Sequence, residues 1–321
     1  FQMESSDRSE KDSPRMSNVA RNILIVYVIL SILCCFSYWF SGMSLFDAVN
    51  HAMTTLSTGG FSTKDASMSA FSSQAQWVAS AFMFLGGLPF ILYVQSLRRR
   101  DGLIFRDAQV RGFFCLVVVT CLFMSIWLWY TNVFSFDDVL RLATFNIISI
   151  LTTTGYSLTD FGTWSFTTTI IFFFLMLFGA CSGSTAGGLK LFRIQIAAAL
   201  FQKQARQLMH PAGVFPQKYN GRPVNEAIVR SIVAFVLGYF AVIVMSAILL
   251  GLIGLTPLEA ISGAITAVGN IGPGFGNTIG PLGNFATIPA AGKWILAGDM
   301  LMGRLEILTV AVLLFPSFWK D

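Results

Sequence analysis

The sequence predicts an all-α integral membrane protein built from tandem repeats of one helical unit. Three observations predict this fold: an apolar composition, several apolar stretches of membrane-spanning length, and a glycine-centred turn that recurs along the chain. Of the 321 residues, 55% are hydrophobic and only 12% are charged, with a mean hydropathy of +0.68. Soluble domains have about 25% charged residues, so the composition excludes a soluble protein.

A helix needs roughly 20 apolar residues to cross the hydrocarbon core of a bilayer. Six stretches are candidates for such spans: 23–40, 77–97, 113–130, 166–179, 232–253 and 305–319. Sixteen of the 21 Lys and Arg residues fall within 1–21, 98–111 and 190–230, which the positive-inside rule places in the cytoplasm. The glycine turns alternate with these segments and therefore face outward. The basic residues do not gather on one helix among exposed aromatics, so no nucleic-acid partner is expected.

The residues that carry most enzyme chemistry form no cluster in the sequence. His51 and His210 lie far apart and belong to no ligand set. The five cysteines lie in apolar stretches, where a thiol behaves as a small hydrophobic group: Cys34, Cys35, Cys115, Cys121 and Cys181. Neither a nucleophile paired with a base nor a zinc motif such as H-E-x-x-H is present. We expect no catalysis, no cofactor, and no metal beyond a transported ion.

The recurring turn is LSTGGFSTKD around Gly60 and LTTTGYSLTD around Gly155, which match at five positions with one offset of 95 residues. TAVGNIGPGF around Gly269 is interpreted as a third copy. Glycine allows successive carbonyl groups to point the same way, and carbonyl oxygens can replace the water around a dehydrated cation. The alternative is an ordinary helix C-cap with glycine. The predicted ion-binding filter residues are Thr58, Gly59, Gly60, Thr153, Thr154, Gly155, Val268, Gly269 and Asn270.

Each turn follows a short segment that opens with a hydroxyl residue and has an acid three residues later. Ser44, Ser135 and Thr256 are the three hydroxyl residues, and the pattern is that of a capping box. Three ordinary helix starts would look the same, but re-entrant helices starting at the outer surface would direct their partially negative C-terminal ends toward a cation. The chain then divides into a cytoplasmic segment 1–17 and repeats A (18–107), B (108–224) and C (225–321).

Three features interrupt the predicted inner helices. Gly86-Gly87-Leu88-Pro89 predicts a kink in repeat A. In repeat B the stretch 179–188 is too rich in glycine for a stable helix, although the spacing of Gly179, Gly183 and Gly187 also fits close helix packing. In repeat C, Arg304 lies in an apolar stretch, where an arginine is costly unless it faces water or a partner. Asp299 and the region of Glu306 are candidate partners.

Four motifs resemble the Trk/Ktr/HKT superfamily of potassium transporters, most closely the membrane subunits of bacterial Trk systems. They are STGGFSTKDAS (57–67), TTTGYSLTDF (152–161), GACSGSTAGGLKLFRI (179–194) and AVGNIGPGFG (267–276), and the resemblance covers nearly the whole chain. It implies four repeats around a pseudo-four-fold ion pore, of which repeats A to C are the second to fourth. We therefore expect a portion of a longer protein that lacks the first repeat. Alternatively, Phe1-Gln2 is a tag scar, Met3 is a true start, and another polypeptide closes the ring.

The resemblance implies gated K⁺ uptake, driven by the electrochemical gradient, through a multi-pass protein of the bacterial cytoplasmic (inner) membrane. It implies that Gly179, Gly183, Ser184, Gly187 and Gly188 belong to a gating loop. An arginine at the position of Arg304 is implied to bond that loop and to set a positive barrier. The implied partners are membrane lipid, a second copy of the chain and a cytoplasmic nucleotide-binding regulatory subunit. Anionic lipid headgroups would explain the basic inner face equally well. An ion-coupled secondary transporter or a Na⁺-transporting superfamily member remain alternatives.

Overall fold

A computed structural model describes residues 16–99, 103–131, 135–313 and 315–319, so the predicted segment 1–17 lies almost wholly outside the described residues. Over these residues the fold is all-α, as predicted, apart from one antiparallel β-hairpin of β1 (Lys218–Tyr219) and β2 (Arg222–Pro223). The helices are α1 (Met16–Phe40), α2 (Leu45–Leu56), α3 (Ser73–Gly86), α4 (Phe90–Arg99), α5 (Leu103–Arg106), α6 (Ala108–Tyr130), α7 (Phe136–Leu151), α8 (Phe166–Leu175), α9 (Leu191–Met209), α10 (Glu226–Leu252), α11 (Pro257–Gly269), α12 (Ala290–Arg304) and α13 (Ile307–Val312).

Within the described residues, α1, α6 and α10 are long and apolar enough to cross a membrane. The pair α3 and α4 passes the same test as one broken span, bent by 85° at the break. The break falls at Gly87, Leu88 and Pro89, where the sequence predicts the kink. Large apolar side chains stay exposed along α1, as expected of a surface that contacts lipid tails; examples are Leu24, Ile29, Leu33 and Phe36.

Two of the six predicted spans are wrong. In repeat B the helix α8 ends at Leu175, so 166–179 is not a continuous span. In repeat C the inner helix is α12, which ends at Arg304 and lies before the predicted 305–319. Glu306 has a φ of 63°, which interrupts the helix, and the six-residue α13 follows. Hydropathy favoured 305–319 because α12 contains Lys293 and Asp299, whereas the structure buries Asp299 against Ser246 of α10.

The three repeats pack as separate helical groups around a shared core. In repeat A, α1 packs against α2, α3 and α4; in repeat B, α6 packs against α7 and α9; in repeat C, α10 packs against α11, α12 and α13. Contacts between α3 and α7, and between α9 and α10, join neighbouring repeats. One large apolar cluster contains residues from all three repeats.

The re-entrant helices α2, α7 and α11 have 12, 16 and 13 residues, and each follows one of the long outer helices α1, α6 and α10. Thr256 and Glu259 form the complete predicted capping box. Ser44 caps α2, accepting the Asp47 backbone N–H at 3.1 Å. Ser135 differs from the prediction, because its hydroxyl donates to the Asp138 carboxylate (3.0 Å) and accepts no backbone N–H.

Candidate ion filter and gate

The first two glycine turns have the same backbone geometry. Positive φ angles occur at Thr58 (51°) and Gly60 (67°), and again at Thr153 (55°) and Gly155 (81°). The backbone N–H groups of Gly59 and Gly60 donate to the Thr54 carbonyl oxygen at 2.8 and 3.4 Å, and the corresponding distances to the Ser149 carbonyl in repeat B are 2.9 and 3.4 Å. The match between repeats A and B predicted from sequence therefore extends to the hydrogen bonds.

The third turn has this geometry three residues later than the sequence alignment placed it. Asn270 has a φ of 54° and Gly272 a φ of 112°, and the Ile271 backbone N–H donates to the Thr266 carbonyl at 2.9 Å. The structural equivalent of Gly60 and Gly155 is thus Gly272, and the predicted match to Gly269 is wrong.

Val268 and Gly269 belong to the last turn of α11. Gly269 is the first glycine of the motif, but it still lies within the helix and so does not mark the turn. Asn270 occupies the left-handed position that Thr58 and Thr153 occupy, since asparagine adopts that conformation readily.

The turns of the three repeats contact one another in chain order. A Cβ atom built on Gly60 would lie 1.8 Å from the Thr154 carbonyl oxygen, and one built on Gly155 would lie 1.9 Å from the Ile271 carbonyl oxygen. No other residue type fits either position without movement. For Gly272, no atom of the described residues lies within 4 Å of such a Cβ. Repeats A, B and C therefore form three successive members of an arc.

Two of the three turns are hydrogen-bonded to other segments through their left-handed residues. A β-branched residue at positive φ is an outlier, yet both Thr58 and Thr153 adopt it. The Thr153 hydroxyl accepts the Gly187 backbone N–H at 2.6 Å. The Asn270 side-chain amide donates to the Met300 carbonyl oxygen at 3.1 Å. The turn of repeat B is thus bonded to the glycine-rich stretch, and the turn of repeat C to α12, the helix that carries Arg304.

Tyr156 links the first two repeats through its hydroxyl group. Its ring is fully buried, and its hydroxyl lies 2.6 Å from the Thr54 hydroxyl and 3.3 Å from the Thr55 hydroxyl. His51 is also buried, with ring nitrogens 2.8 Å from the Asp47 carbonyl oxygen and 2.9 Å from the Ser62 hydroxyl. Across the described residues, no three His, Cys, Asp or Glu side chains gather as a metal-binding group. His51 thus joins α2 to Ser62, which follows the first turn.

The glycine-rich stretch of repeat B forms a closed loop between α8 and α9. Gly179 donates its N–H to the Leu189 carbonyl at 2.8 Å, which closes the base of the loop. A Cβ on Gly179 would lie 2.3 Å from the Gly187 carbonyl oxygen, so the two strands of the loop approach more closely than other residues allow. Because 179–190 is not helical, helix packing through Gly179, Gly183 and Gly187 does not explain its glycines.

This loop contacts the ends of all three re-entrant helices. The Thr185 hydroxyl donates to the Leu56 carbonyl at the end of α2 (2.9 Å), and Gly187 donates to Thr153 after α7. A Cβ on Gly187 would lie 2.4 Å from the Gly269 carbonyl oxygen at the end of α11. The loop therefore lies across the C-terminal ends of the three helices, where the turns begin.

The loop is also bonded to the broken inner helix of repeat A. Cys181 donates its N–H to the Gly87 carbonyl (3.1 Å), and Phe90 donates to the Gly183 carbonyl (3.0 Å). Ser184 lies within the loop, where its hydroxyl donates to the Cys181 carbonyl at 2.6 Å. The break in repeat A is therefore an attachment point for the loop.

Arg304 reaches the loop directly. Its guanidinium Nη1 donates to the Thr185 carbonyl oxygen at 3.1 Å. Glu306 pairs with Arg193, and Asp299 accepts from the Ser246 hydroxyl at 2.6 Å. The two acidic partners considered from sequence are thus bonded elsewhere.

Sequence reasoning missed four residues of this arrangement: Thr185, Ile271, Gly272 and Gly303. A Cβ on Gly303 would lie 1.9 Å from the Val268 carbonyl oxygen, which brings α12 against the end of α11. The spacing Asn270-x-Gly272 repeats Thr58-x-Gly60 and could have indicated the third turn. Thr185 carries no sequence signal apart from its place in the glycine-rich stretch.

Comparison with known proteins gives one consistent result. A family model named TrkH and described as a cation transport protein matches residues 1–320. The Trk system potassium uptake protein TrkI of Halomonas elongata is 46% identical over 100% of this chain and 65% of its own length. The potassium uptake protein TrkH of Salmonella typhimurium is 31% identical over 98% of this chain and 65% of its length.

A solved structure shows the same fold. The crystal structure of the potassium transporter TrkH from Vibrio parahaemolyticus superposes with a TM-score of 0.90 and 30% identity, covering 97% of this chain and 67% of that chain. The chain thus spans about two thirds of the length of the relatives it matches, 65% for the curated proteins.

Proposed function

The chain belongs to the TrkH family of cation transport proteins, and from that premise we propose that it supplies three of the four repeats of a gated K⁺ pathway. Transport, and not enzymatic catalysis, is in keeping with this family. The observation that carries the proposal is the arc of turns, in which Gly60 approaches the Thr154 carbonyl and Gly155 approaches the Ile271 carbonyl. The relatives named above are potassium uptake proteins, which supports K⁺ as the transported ion.

The proposed filter consists of the equivalent positions Thr58-Gly59-Gly60, Thr153-Thr154-Gly155 and Asn270-Ile271-Gly272. Their carbonyl oxygens would replace part of the hydration shell of the ion. We infer that a further segment of the longer protein supplies the fourth turn next to Gly272. That turn would bear on the choice between K⁺ and Na⁺, so Na⁺ transport is the outcome that ion-competition measurements must exclude.

The proposed gate is the loop 179–190 with Arg304. The hydrogen bond from Arg304 to the Thr185 carbonyl supports a position for this positive charge beside the loop. A cation leaving the filter would meet both an obstructing backbone and a like charge. The ion would move down its electrochemical gradient without covalent chemistry.

The proposal extends to the surroundings of the protein. We propose a homodimer in the bacterial cytoplasmic membrane, contacted by lipid on the exposed apolar faces. A cytoplasmic nucleotide-binding subunit of the Trk type would dock on the basic inner face. Lys203 and Arg206 on the exposed end of α9, together with the β-hairpin at Lys218, support this location.

The test is ion flux through the full-length protein in liposomes. We expect K⁺ and Rb⁺ to permeate in preference to Na⁺, and Arg304→Ala to raise K⁺ flux while leaving that preference unchanged. Equal permeation of the three ions would refute the filter. Unchanged flux in Arg304→Ala would refute the role of the arginine. Flux that requires a co-transported ion would instead support a secondary transporter.

A further inference from the structure

An ion pair outside the proposed filter and gate connects the two segments that lead away from the gate. Arg193 lies in the first turn of α9, and its Nη2 donates to the Glu306 carboxylate between α12 and α13. The two side chains are 5% and 20% exposed. The Arg193 guanidinium carbon also lies 3.7 Å from the centroid of the Phe235 ring on α10.

The ion pair occurs at a point of backbone strain. Glu306 has a φ of 63°, a conformation that costs a residue with a side chain of order 1 kcal/mol or more. The same residue separates α12 from α13, and its carbonyl accepts the Thr309 N–H at 2.9 Å. A pair removed from water is also unfavourable unless its geometry is good. Glu306 thus combines two unfavourable features at the end of the helix that carries Arg304.

The ion pair, the Arg304 hydrogen bond and the chain segments between them form a closed ring of connections around the proposed gate. Arg304 bonds the loop at Thr185, and Glu306 follows two residues later. Glu306 binds Arg193, which lies three residues after Lys190 at the end of the loop. The path from loop to Arg304, to Glu306, to Arg193 and back to the loop therefore closes on itself. Moving the loop away from Arg304 must stretch or break one of these links.

We propose that the Arg193–Glu306 pair is a latch that holds α9 against the α12–α13 break and so keeps Arg304 in place beneath the loop. The inference rests on the proposed gate, because it assigns positioning residues to it. Arg193 and Glu306 act through Arg304 and the loop. Phe235 contributes by fixing the plane of the Arg193 guanidinium.

The test measures Rb⁺ flux through the full-length protein in liposomes, with size-exclusion chromatography and thermal unfolding to confirm folding. Glu306→Gln and Arg193→Gln should each raise flux about 5-fold or more, the lower end of couplings between sites. Combining Glu306→Gln with Arg304→Ala should raise flux no further than the larger single effect, because both changes release the same element.

Matched controls come from a second Arg–Glu pair. Glu226 and Arg230 form an exposed i,i+4 pair on α10, with side chains 79% and 82% exposed. Glu226→Gln and Arg230→Gln remove the same charges at the surface and should leave flux unchanged. If they raise flux as much as the buried variants do, net charge explains the effect and the latch is refuted.

The remaining outcomes separate the latch from the gate. Increased flux in Arg304→Ala with unchanged flux in folded Glu306→Gln would overturn the latch and leave the gate standing. Multiplying effects in the double variant would also overturn it. If Arg304→Ala itself has no effect, the proposed role of the arginine fails first. Should Glu306→Gln not fold, Glu306→Asp draws the carboxylate back by one methylene and should still raise flux; unchanged flux there refutes the latch.

Discussion

Replacing Gly155 with alanine would place a methyl group where the structure has the Ile271 carbonyl oxygen. The new Cβ would lie 1.9 Å from that oxygen, and real Cβ atoms essentially never come within 3.0 Å of a non-bonded heavy atom outside their own and the adjacent residues. The turn of repeat B or repeat C must therefore move by about 1 Å. This movement would occur between two neighbouring turns of the proposed filter.

Two costs add at Gly155. Its φ of 81° costs an alanine roughly 1–2 kcal/mol, and relieving the overlap costs roughly 1–3 kcal/mol more. If the turn keeps its shape, the sum of about 2–5 kcal/mol lowers the free energy of unfolding. If the turn moves instead, part of this cost is relieved and the geometry of the filter changes. We expect the K⁺ to Na⁺ flux ratio to fall at least 10-fold, since 1.4 kcal/mol corresponds to a factor of ten.

The matched control is Gly254→Ala. Gly254 also has a positive φ, of 102°, but no described atom lies within 4 Å of a Cβ there. It therefore carries the backbone cost without the overlap. The assay is K⁺ and Na⁺ flux in liposomes together with thermal unfolding of both variants. If Gly155→Ala and Gly254→Ala have the same flux ratio, the close approach has no part in selectivity and the reasoning is refuted.

Three further predictions concern the contacts around the turns. Thr185→Val keeps the side-chain shape but removes the hydrogen bond that holds the loop to the Leu56 carbonyl, so ion flux in liposomes should rise. Flux at or below that of the wild type would contradict the loop's role as an obstruction. Tyr156→Phe removes the buried hydroxyl that lies 2.6 Å from Thr54, and should lower the unfolding free energy by about 0.5–1.5 kcal/mol in denaturant titrations, whereas an unchanged midpoint would show that the bond contributes nothing. Hydrogen bonds from two hydroxyl groups, first that of Ser44, hold the pKa of the Asp47 carboxyl below its usual value. The ionised carboxylate therefore stabilises the fold above its unfolded-state pKa, and this stabilisation is lost as pH falls through the folded-state pKa. On acidification the unfolding midpoint should drop less in Asp47→Asn than in wild type, and identical pH profiles would refute this.

Much of the fold was predictable because membrane burial and repetition leave strong sequence signals. One offset relates Gly60 to Gly155 and also relates their backbone hydrogen bonds, and the glycines around Gly87 marked a real break. The inner helix of repeat C was misplaced because hydropathy treats Asp299 as a surface group. Its carboxylate is buried against another helix, which a window average cannot detect.

The third turn was misaligned for a different physical reason. Left-handed conformation is shared by glycine and asparagine, so a search for glycine alone selected Gly269 when Asn270 begins the turn. The contact between Arg304 and the loop was implied by family resemblance and is present in the structure as a hydrogen bond to Thr185. The Arg193–Glu306 pair could not be foreseen, since 113 residues separate its members.

The loop of repeat B introduces asymmetry into an otherwise repetitive molecule. Each repeat contributes an equivalent turn, yet among the described residues it is repeat B that supplies the segment lying across them all. A gate formed by all the repeats would require every repeat to move, whereas a gate formed by one loop requires the displacement of that loop only. On the proposed function, opening would then be the displacement of one segment of the chain, while the three turns above it keep their mutual contacts.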